Sequence, residues 1–341
     1  MSSEKKVAIG VVGVGHLGRW HTQQLSRIPE ANLVGVYDID SSRAREVAGA
    51  FHTRTFPNFQ DLLRHTEALS IVTPTTTHFQ YAMEALQAGK HVFVEKPITE
   101  TVAQGEELVA AARERGLKLQ VGHIERFNPA LLALEGIQLR PLFVESHRLS
   151  TFHPRGTDVA VVLDLMIHDI DLILSLVDSP VREIHASGVS IISGSEDIAN
   201  CRLDFENGAV ANVTASRISN RKMRKMRFFQ PNAYISVDFL EGFSEVYELV
   251  EPSRKLSSEN LSFSVPLPGK DGTAREIRYT RLEKKEINPL NYELSLFINS
   301  ILQDTEPPVT GEEAVRALRV AQSILQKIDE HAQLVKKHWR V

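Results

Sequence analysis

Two groups of side chains in this sequence have the types and spacing for acid–base chemistry. The first is Glu95-Lys96-Pro97, which closes the apolar run His91-Val92-Phe93-Val94. An amine placed directly after a short β run, before a proline that cannot extend the ladder, is aimed at whatever lies beyond the strand end. The second group is Asp164, His168 and Asp171, at i, i+4 and i+7. They share one stripe of an expected helix from Thr157 to Leu176 that is apolar on most other sides. Ionisable groups on such a helix are costly unless they are paired or face a cavity. Neutral imidazole is available as a base near pH 7, and a lysine ammonium can hold a substrate oxygen as negative charge develops on it. The alternatives are a solvated strand end at Glu95 and Lys96 and a structural ion cluster on the helix. No metal is expected, because two or three O/N ligands on one helix leave the remaining ligands unidentified.

The elements that must position Lys96 are read from the amino terminus. Val7 to Val12 is a continuous apolar strand, and Gly13-Val14-Gly15-His16-Leu17-Gly18 follows it with G-x-G-x-x-G spacing. Gly13 makes the tight turn, Gly15 lets backbone approach a pyrophosphate, and Gly18 packs the helix on the strand. A second strand, Asn32 to Tyr37, ends at Asp38, twenty residues beyond Gly18. A carboxylate there accepts from a ribose diol and repels a 2′-phosphate, so NAD is favoured over NADP, with Ser41 and Arg43 able to soften the repulsion. A turn carboxylate is the alternative for Asp38. Further strands are expected near Arg54–Phe56, Ala68–Val72 (ending at Thr73-Pro74), His91–Val94 and Leu117–Val121. His78, in the first turn of the helix after Pro74, either touches a nicotinamide or caps that helix. These elements make a doubly wound α/β dinucleotide fold of the Rossmann type over residues 1–123.

With 341 residues, the chain has the length of about two domains. Its formal charge of −4 gives no general attraction to nucleic acid. Cys201 is the one cysteine, which leaves no internal disulfide or cysteine-based zinc site and fits a reducing compartment. The run Val7–Val14 is too brief and glycine-rich for a membrane span or signal peptide, so a cytoplasmic location is expected.

Gly13 to Gly18, Asp38, Pro74 to His78 and above all Gly89-Lys90-His91-Val92-Phe93-Val94-Glu95-Lys96-Pro97 resemble the family of glucose-fructose oxidoreductase and inositol dehydrogenase, over essentially the whole chain. The resemblance implies an NAD domain followed by an α+β domain over 124–341 with a large, mostly antiparallel sheet, whose open face often makes dimers or tetramers. It implies a dehydrogenase acting on a secondary hydroxyl of a sugar or cyclitol. Lys96, Asp164 and His168 then match the family's catalytic positions, and Gly13, Gly15, His16, Leu17, Gly18, Asp38, Thr73, Pro74, His78, Glu95 and Lys96 line the cofactor. The segments Gly122–Pro129 and Pro154–Asp158, leading into Val161–Asp169, look like nucleotide-sugar 3-dehydrogenases that serve lipid A assembly. UDP-N-acetylglucosamine is the substrate this implies, with a free sugar, inositol or a nonenzymatic NAD-responsive regulator as alternatives.

In the second domain, Arg126, Arg148 and Arg155 are candidate diphosphate contacts, since arginine suits bidentate phosphate binding. Their alternative is ion pairing with Glu125, Asp158 and Glu145. Strands are expected at Val181–Ile192, Asp197–Phe205, Ala209–Arg217 and several times between Met223 and Val250, with Asn207-Gly208 as a hairpin turn. Cys201 alternates with Ala199, Leu203 and Phe205, which makes it a core residue. The basic cluster Arg221, Lys222, Arg224, Lys225 and Arg227 reads as a solvated or subunit-facing strand. Residues 251–274 read as a surface excursion, and the two closing helices as core packing.

Overall fold

Apolar runs set between glycine stops dictate the first part of the chain. The computed structural model describes residues 5–153, 159–251, 261–268, 274–284 and 287–339. The elements in order are β1 (Val7–Val12), α1 (His16–Leu25), β2 (Ala31–Tyr37), α2 (Ser41–Ala50), β3 (Arg54–Thr55), α3 (Phe59–Arg64), β4 (Ala68–Ile71), α4 (Thr75–Gln87), β5 (His91–Glu95), α5 (Val102–Glu114) and β6 (Leu119–Gly122). The six strands pair in parallel in the order β3-β2-β1-β4-β5-β6. Strands buried on both faces read as near-continuous hydrophobic runs, which is why they stand out in the sequence. Asp40 caps α2 by accepting from the Ser42 and Arg43 amides, and the Thr101–Gln104 capping box opens α5.

The second part begins with a short helix α6 (Pro129–Leu132) and the strand β7 (Phe143–Leu149). A π-helical turn over Val162–Met166 then leads into α7 (Ile167–Leu176). The expected single α-helix from Thr157 to Leu176 is thus corrected to a π turn followed by an α-helix, while residues 154–158 lie outside the described residues. Next come β8 (Val181–Val189), β9 (Ile198–Phe205), β10 (Val210–Ser216), β11 (Met223–Gln230), β12 (Ala233–Asp238), β13 (Phe243–Val250), β14 (Leu261–Pro268) and β15 (Ala274–Glu283). They form one sheet in the order β14-β15-β13-β12-β11-β7-β10-β9-β8, antiparallel except where β7 pairs with β10. Cys201 is buried on this sheet, with its Sγ 3.8 Å from Met166 Sδ, and burial pushes its thiol up to about 12. The expected surface excursion over 251–274 is corrected in part, because Leu261–Pro268 is an edge strand. An edge tolerates Pro266, whose missing N–H would interrupt a central strand.

The chain closes with α8 (Pro289–Gln303) and α9 (Gly311–Trp339). Two compact units result: Met1–Ile124 with Asn288–Arg319, and Glu125–Ile287 with Val320–Val341. The expected boundary near residue 123 therefore misses a return of the chain to the first unit. Leu294, Phe297 and Ile298 of α8 join a core cluster that contains Val7, Ile9, Val11 and Phe93, and the Phe297 and Phe93 rings meet edge to face at 5.7 Å. Phe297 is fully buried. Phe297→Ala should cost about 3–5 kcal/mol of stability, by the usual penalty for emptying a buried aromatic site. A urea titration with an unshifted midpoint would show that α8 is dispensable to this core.

Candidate active site

In the first unit, the glycine loop and the strand ends enclose a cavity of about 460 Å³ lined by Gly13, Gly15, His16, Leu17, Asp38, Thr73, Pro74 and, beyond those expected, Tyr37, Ile39, Arg43, Thr77 and Tyr81. Gly13 has φ +82°, and a Cβ there would lie 2.8 Å from the Val72 carbonyl oxygen. A Cβ on Gly18 would overlap the Gly13 carbonyl. On Gly15, by contrast, a Cβ meets nothing within 4 Å, so this glycine borders open space. Gly15 is also the N-cap of α1 and makes no side-chain cap bond, and the first turn of the helix carries no acidic residue. Unfilled space, uncapped amides and the positive end of a helix dipole are the requirements of a pyrophosphate. The Asp38 carboxylate accepts from the Val14 amide at 2.8 Å through one oxygen and from the Asp40 amide at 2.8 Å through the other, and Arg43 stands 3.7 Å from it. These residues fit a dinucleotide. A larger cavity of about 710 Å³, lined by Arg113, Lys118, Asp304 and Glu312, abuts the start of β6. Ligands of open α/β sheets bind at the carboxyl ends of strands, so the smaller cavity is the relevant one.

Lys96 follows β5 at the same end of the sheet. Its amide donates to Glu95 Oε2 at 3.2 Å. Glu95 Oε1 lies 3.0 Å from His21 Nε2, and His21 Nδ1 lies 2.9 Å from Ser70 Oγ. Burial opposes ionisation of Glu95, but the His21 bond and charge together with Lys96 outweigh it and hold the carboxyl below its ordinary range. His78 is buried, with Nδ1 2.9 Å from the Pro97 carbonyl and Nε2 2.8 Å from the Thr73 carbonyl. Each ring nitrogen faces a main-chain carbonyl, and because burial pushes the imidazole below its usual value, the neutral ring donates to one of the two. The ring thereby bridges Thr73, just beyond β4, and the segment after Lys96.

In the second unit, Asp164 lies in the π turn and His168 in the first turn of α7, each half-buried beside fully buried Val162, Met166, Ile167 and Ile170. π turns widen a helix locally and occur often at functional sites. Asp171 parts company with them, because Arg126 grips it through two bonds of 2.7 Å. Arg148 does the same to Asp169 at 2.7 and 3.0 Å and reaches Glu125 at 2.7 Å, with Arg224 3.4 Å from Glu125. Burial works against the Arg148 charge, yet its two carboxylate partners hold it above the usual range. The expected substrate contacts at Arg126 and Arg148 are corrected accordingly: both guanidiniums are committed to buried carboxylates. Arg155 lies outside the described residues.

The sequence of residues 7–123 matches a family model described as an oxidoreductase family with an NAD-binding Rossmann fold, and residues 141–235 match the GFO/IDH/MocA C-terminal domain. The chain belongs to the Gfo/Idh/MocA oxidoreductase family. Among relatives of this family member, a UDP-N-acetylglucosamine 3-dehydrogenase from Acidithiobacillus ferrooxidans is 43% identical over 239 residues, covering 70% of this chain and 76% of that protein. Its solved structure superposes with a TM-score of 0.85 at 35% identity, over 95% of this chain and 98% of that one. An inositol 2-dehydrogenase from Rubrobacter xylanophilus is 33% identical, covering 54% of this chain and 56% of its own. A scyllo-inositol dehydrogenase from Lactobacillus casei, solved with NAD(H) and scyllo-inositol, shares the fold at a TM-score of 0.75 and 20% identity, over 96% and 98% of the two chains. The protein is an NAD-dependent oxidoreductase.

Sequence reasoning passed over Tyr37, Thr77 and Tyr81, although Tyr37 directly precedes Asp38 and the other two stand at i and i+4 of α4. The contrast between the glycines sets a test. Gly15→Ala should fold with a near-normal melting temperature and lose NAD affinity, because its methyl group enters only the open space. Gly18→Ala should lower the melting temperature as well, since its methyl group overlaps backbone. Calorimetric NAD binding that survives in Gly15→Ala would place the pyrophosphate elsewhere.

Proposed function

We propose that this protein oxidises the 3-hydroxyl of UDP-N-acetylglucosamine to a ketone, with NAD as hydride acceptor. The observation that carries this reading is the similarity to the Acidithiobacillus 3-dehydrogenase, which extends over 95% of the chain. In sequence that relative is 43% identical over 70% of the chain, against 33% over 54% for the Rubrobacter inositol 2-dehydrogenase. NAD when bound supplies the carbon that receives the hydride. In this reading His168 takes the hydroxyl proton as general base, and Asp164, on the same helical face, orients the imidazole or hydrogen-bonds the sugar. Lys96 holds the substrate oxygen as charge develops on it. Arg155 is the proposed cation for the diphosphate, because Arg126 and Arg148 are occupied.

The product would be a substrate for transamination on the way to lipid A, in the cytoplasm. Among the described residues no helix is long and apolar enough to cross a membrane. Self-association as a dimer or tetramer through the second unit's sheet is part of the same proposal. Phe143, Phe229, Tyr234, Tyr247, Tyr279 and Phe263 meet ring to ring, in register, across six strands, beside exposed Val265, Leu267 and Ile277. An apolar face of this kind marks an interaction surface. Light scattering is expected to give at least a dimer, and a monomer at micromolar concentration would rule this out.

The substrate assignment is tested by NADH formation from UDP-N-acetylglucosamine, free N-acetylglucosamine, glucose and myo-inositol, with a coupled aminotransferase to draw off ketone. Only the nucleotide sugar should turn over well. If the free sugars react as fast, with Arg155→Ala affecting neither, the substrate is a free sugar or inositol. Bound NAD that no sugar reduces would indicate a regulator. His168→Ala and Lys96→Ala should each lower kcat by at least about a hundredfold and leave NAD affinity nearly unchanged. Loss of NAD binding in His168→Ala would make that residue structural.

A further inference from the structure

Inside the first unit, two buried polar groups and a part-buried carboxylate join the dinucleotide-binding helix to the lysine segment. Ser70 in β4 and His21 in α1 are at most 1% exposed, so neither has water as a partner, and each must be satisfied by the protein. They satisfy one another at 2.9 Å, and His21 passes the connection to Glu95 at 3.0 Å. A neutral imidazole donating from Nε2 to Glu95 leaves Nδ1 to accept the Ser70 hydroxyl proton. A protonated ring donates to both. The chain of bonds is therefore complete in either state of the histidine. The second Glu95 oxygen accepts the Lys96 amide. Space for this carboxylate exists because its register partner across the ladder, Gly122, has no side chain: a Cβ there would lie 2.7 Å from Glu95 Oε1.

We propose that His21 is a positioning residue for Lys96, holding the backbone of the lysine in a fixed place relative to the helix whose amino end receives the dinucleotide. Glu95 is the intermediary, with one oxygen on α1 and the other on the lysine amide. Ser70 sets the rotation of the imidazole from a third element. Docking a pyrophosphate at the start of α1 and placing the Lys96 ammonium then become parts of one rigid arrangement. A lysine on an untethered strand end would sample many positions, and misplacement by about 1 Å is enough to lower a rate about a hundredfold. The inference adds a positioning group to the role proposed for Lys96 and rests on that reading for its kinetic arm alone.

The test compares wild type with His21→Leu, His21→Gln and Gly122→Ala. Leu removes both polar bonds, Gln keeps an N–H within reach of Glu95, and the Gly122 variant displaces the carboxylate without touching His21 or Lys96. The first readout needs no substrate: hydrogen exchange at the Lys96 amide, with β9 amides as internal reference. Exchange should speed up about tenfold in His21→Leu and Gly122→Ala, the size expected for one lost hydrogen bond, and less in His21→Gln. The second readout is the protection that bound NAD gives Lys96 against reductive dimethylation. It should fall in the same order while calorimetric NAD affinity changes little. The third is turnover, where kcat should fall about 10- to 100-fold in His21→Leu with partial recovery in His21→Gln. If His21→Leu does not fold, Gly122→Ala and His21→Gln carry the same comparison. Unchanged exchange and dimethylation at Lys96 in the folded variants would overturn the proposal. Absence of turnover in wild type would instead reject the assigned reaction, and the first two readouts would still decide the role of His21.

Discussion

The steric fit of Gly18 against the Gly13 carbonyl sets the geometry of the first unit. With no side chain between them, α1 starts directly on the end of β1, with uncapped amides facing the cavity. That starting point determines where every later residue of the helix falls. His21, nearly one turn beyond Gly18, therefore lies over β4 and β5 at the depth of Ser70 and Glu95. A shift of the helix by a fraction of an ångström would break hydrogen bonds whose donors and acceptors have no solvent to fall back on. A second glycine repeats the device on the opposite side, since Gly122 admits the Glu95 carboxylate. The cofactor loop and the lysine segment are thus fixed by two absent side chains and the polar chain that runs between them.

In the second unit, buried charge does comparable work. Arg126 pairs with Asp171, and Arg148 with Asp169 and Glu125, across 45, 21 and 23 residues of sequence around α7 and β7, while the exposed Arg224 reaches Glu125 from the rim. Desolvated charges are tolerated only when fully paired, and removal of one partner from such a set typically costs about 3–5 kcal/mol. The consequence for function is a division of the polar stripe on the helix. Asp169 and Asp171 serve as anchors, which leaves Asp164 and His168 as the half-buried polar pair on that stretch. Two anchors within three residues after His168 restrict rotation of the helix, a requirement for any side chain that must meet a substrate at fixed distance.

Much of the first unit was legible because its physics is local. Parallel strands buried on both faces are apolar runs, and the glycine spacing is contiguous. The elements that escaped notice have their pattern masked. In β7 the inward positions are Val144, Ser146 and Arg148, so the buried face contains a serine and a charged residue whose partners are far away. The alternation Leu261, Phe263, Val265, Leu267 of β14 is interrupted by Pro266, and in β15 charged residues surround Ile277 and Tyr279. Arginines 126 and 148 illustrate the limit most clearly. Residue type predicts an affinity for phosphate or carboxylate equally well, and only the fold shows that carboxylates had already claimed them. The glycine motif, Asp38 and the Glu95-Lys96 pair were visible as candidates, whereas His21 and Ser70 carried no motif and acquired meaning only from their neighbours.

Phe93 explains why the first unit is discontinuous in sequence. One side of its ring meets His21 at 5.5 Å, and Phe297 from α8 approaches it at 5.7 Å. The aromatic contact that buttresses the imidazole is therefore itself buttressed by a segment nearly two hundred residues later. Without α8, the faces of β1 and β5 that carry Val7, Ile9, Val11 and Phe93 would lose Leu294, Phe297 and Ile298 from their cover, and apolar surface left open in this way favours loosened packing over the fixed hydrogen-bond geometry at His21. The cofactor fold and the lysine segment are continuous in sequence through residue 123, but the core that holds His21 against Glu95 is complete only when the carboxyl-terminal part of the chain has returned to it.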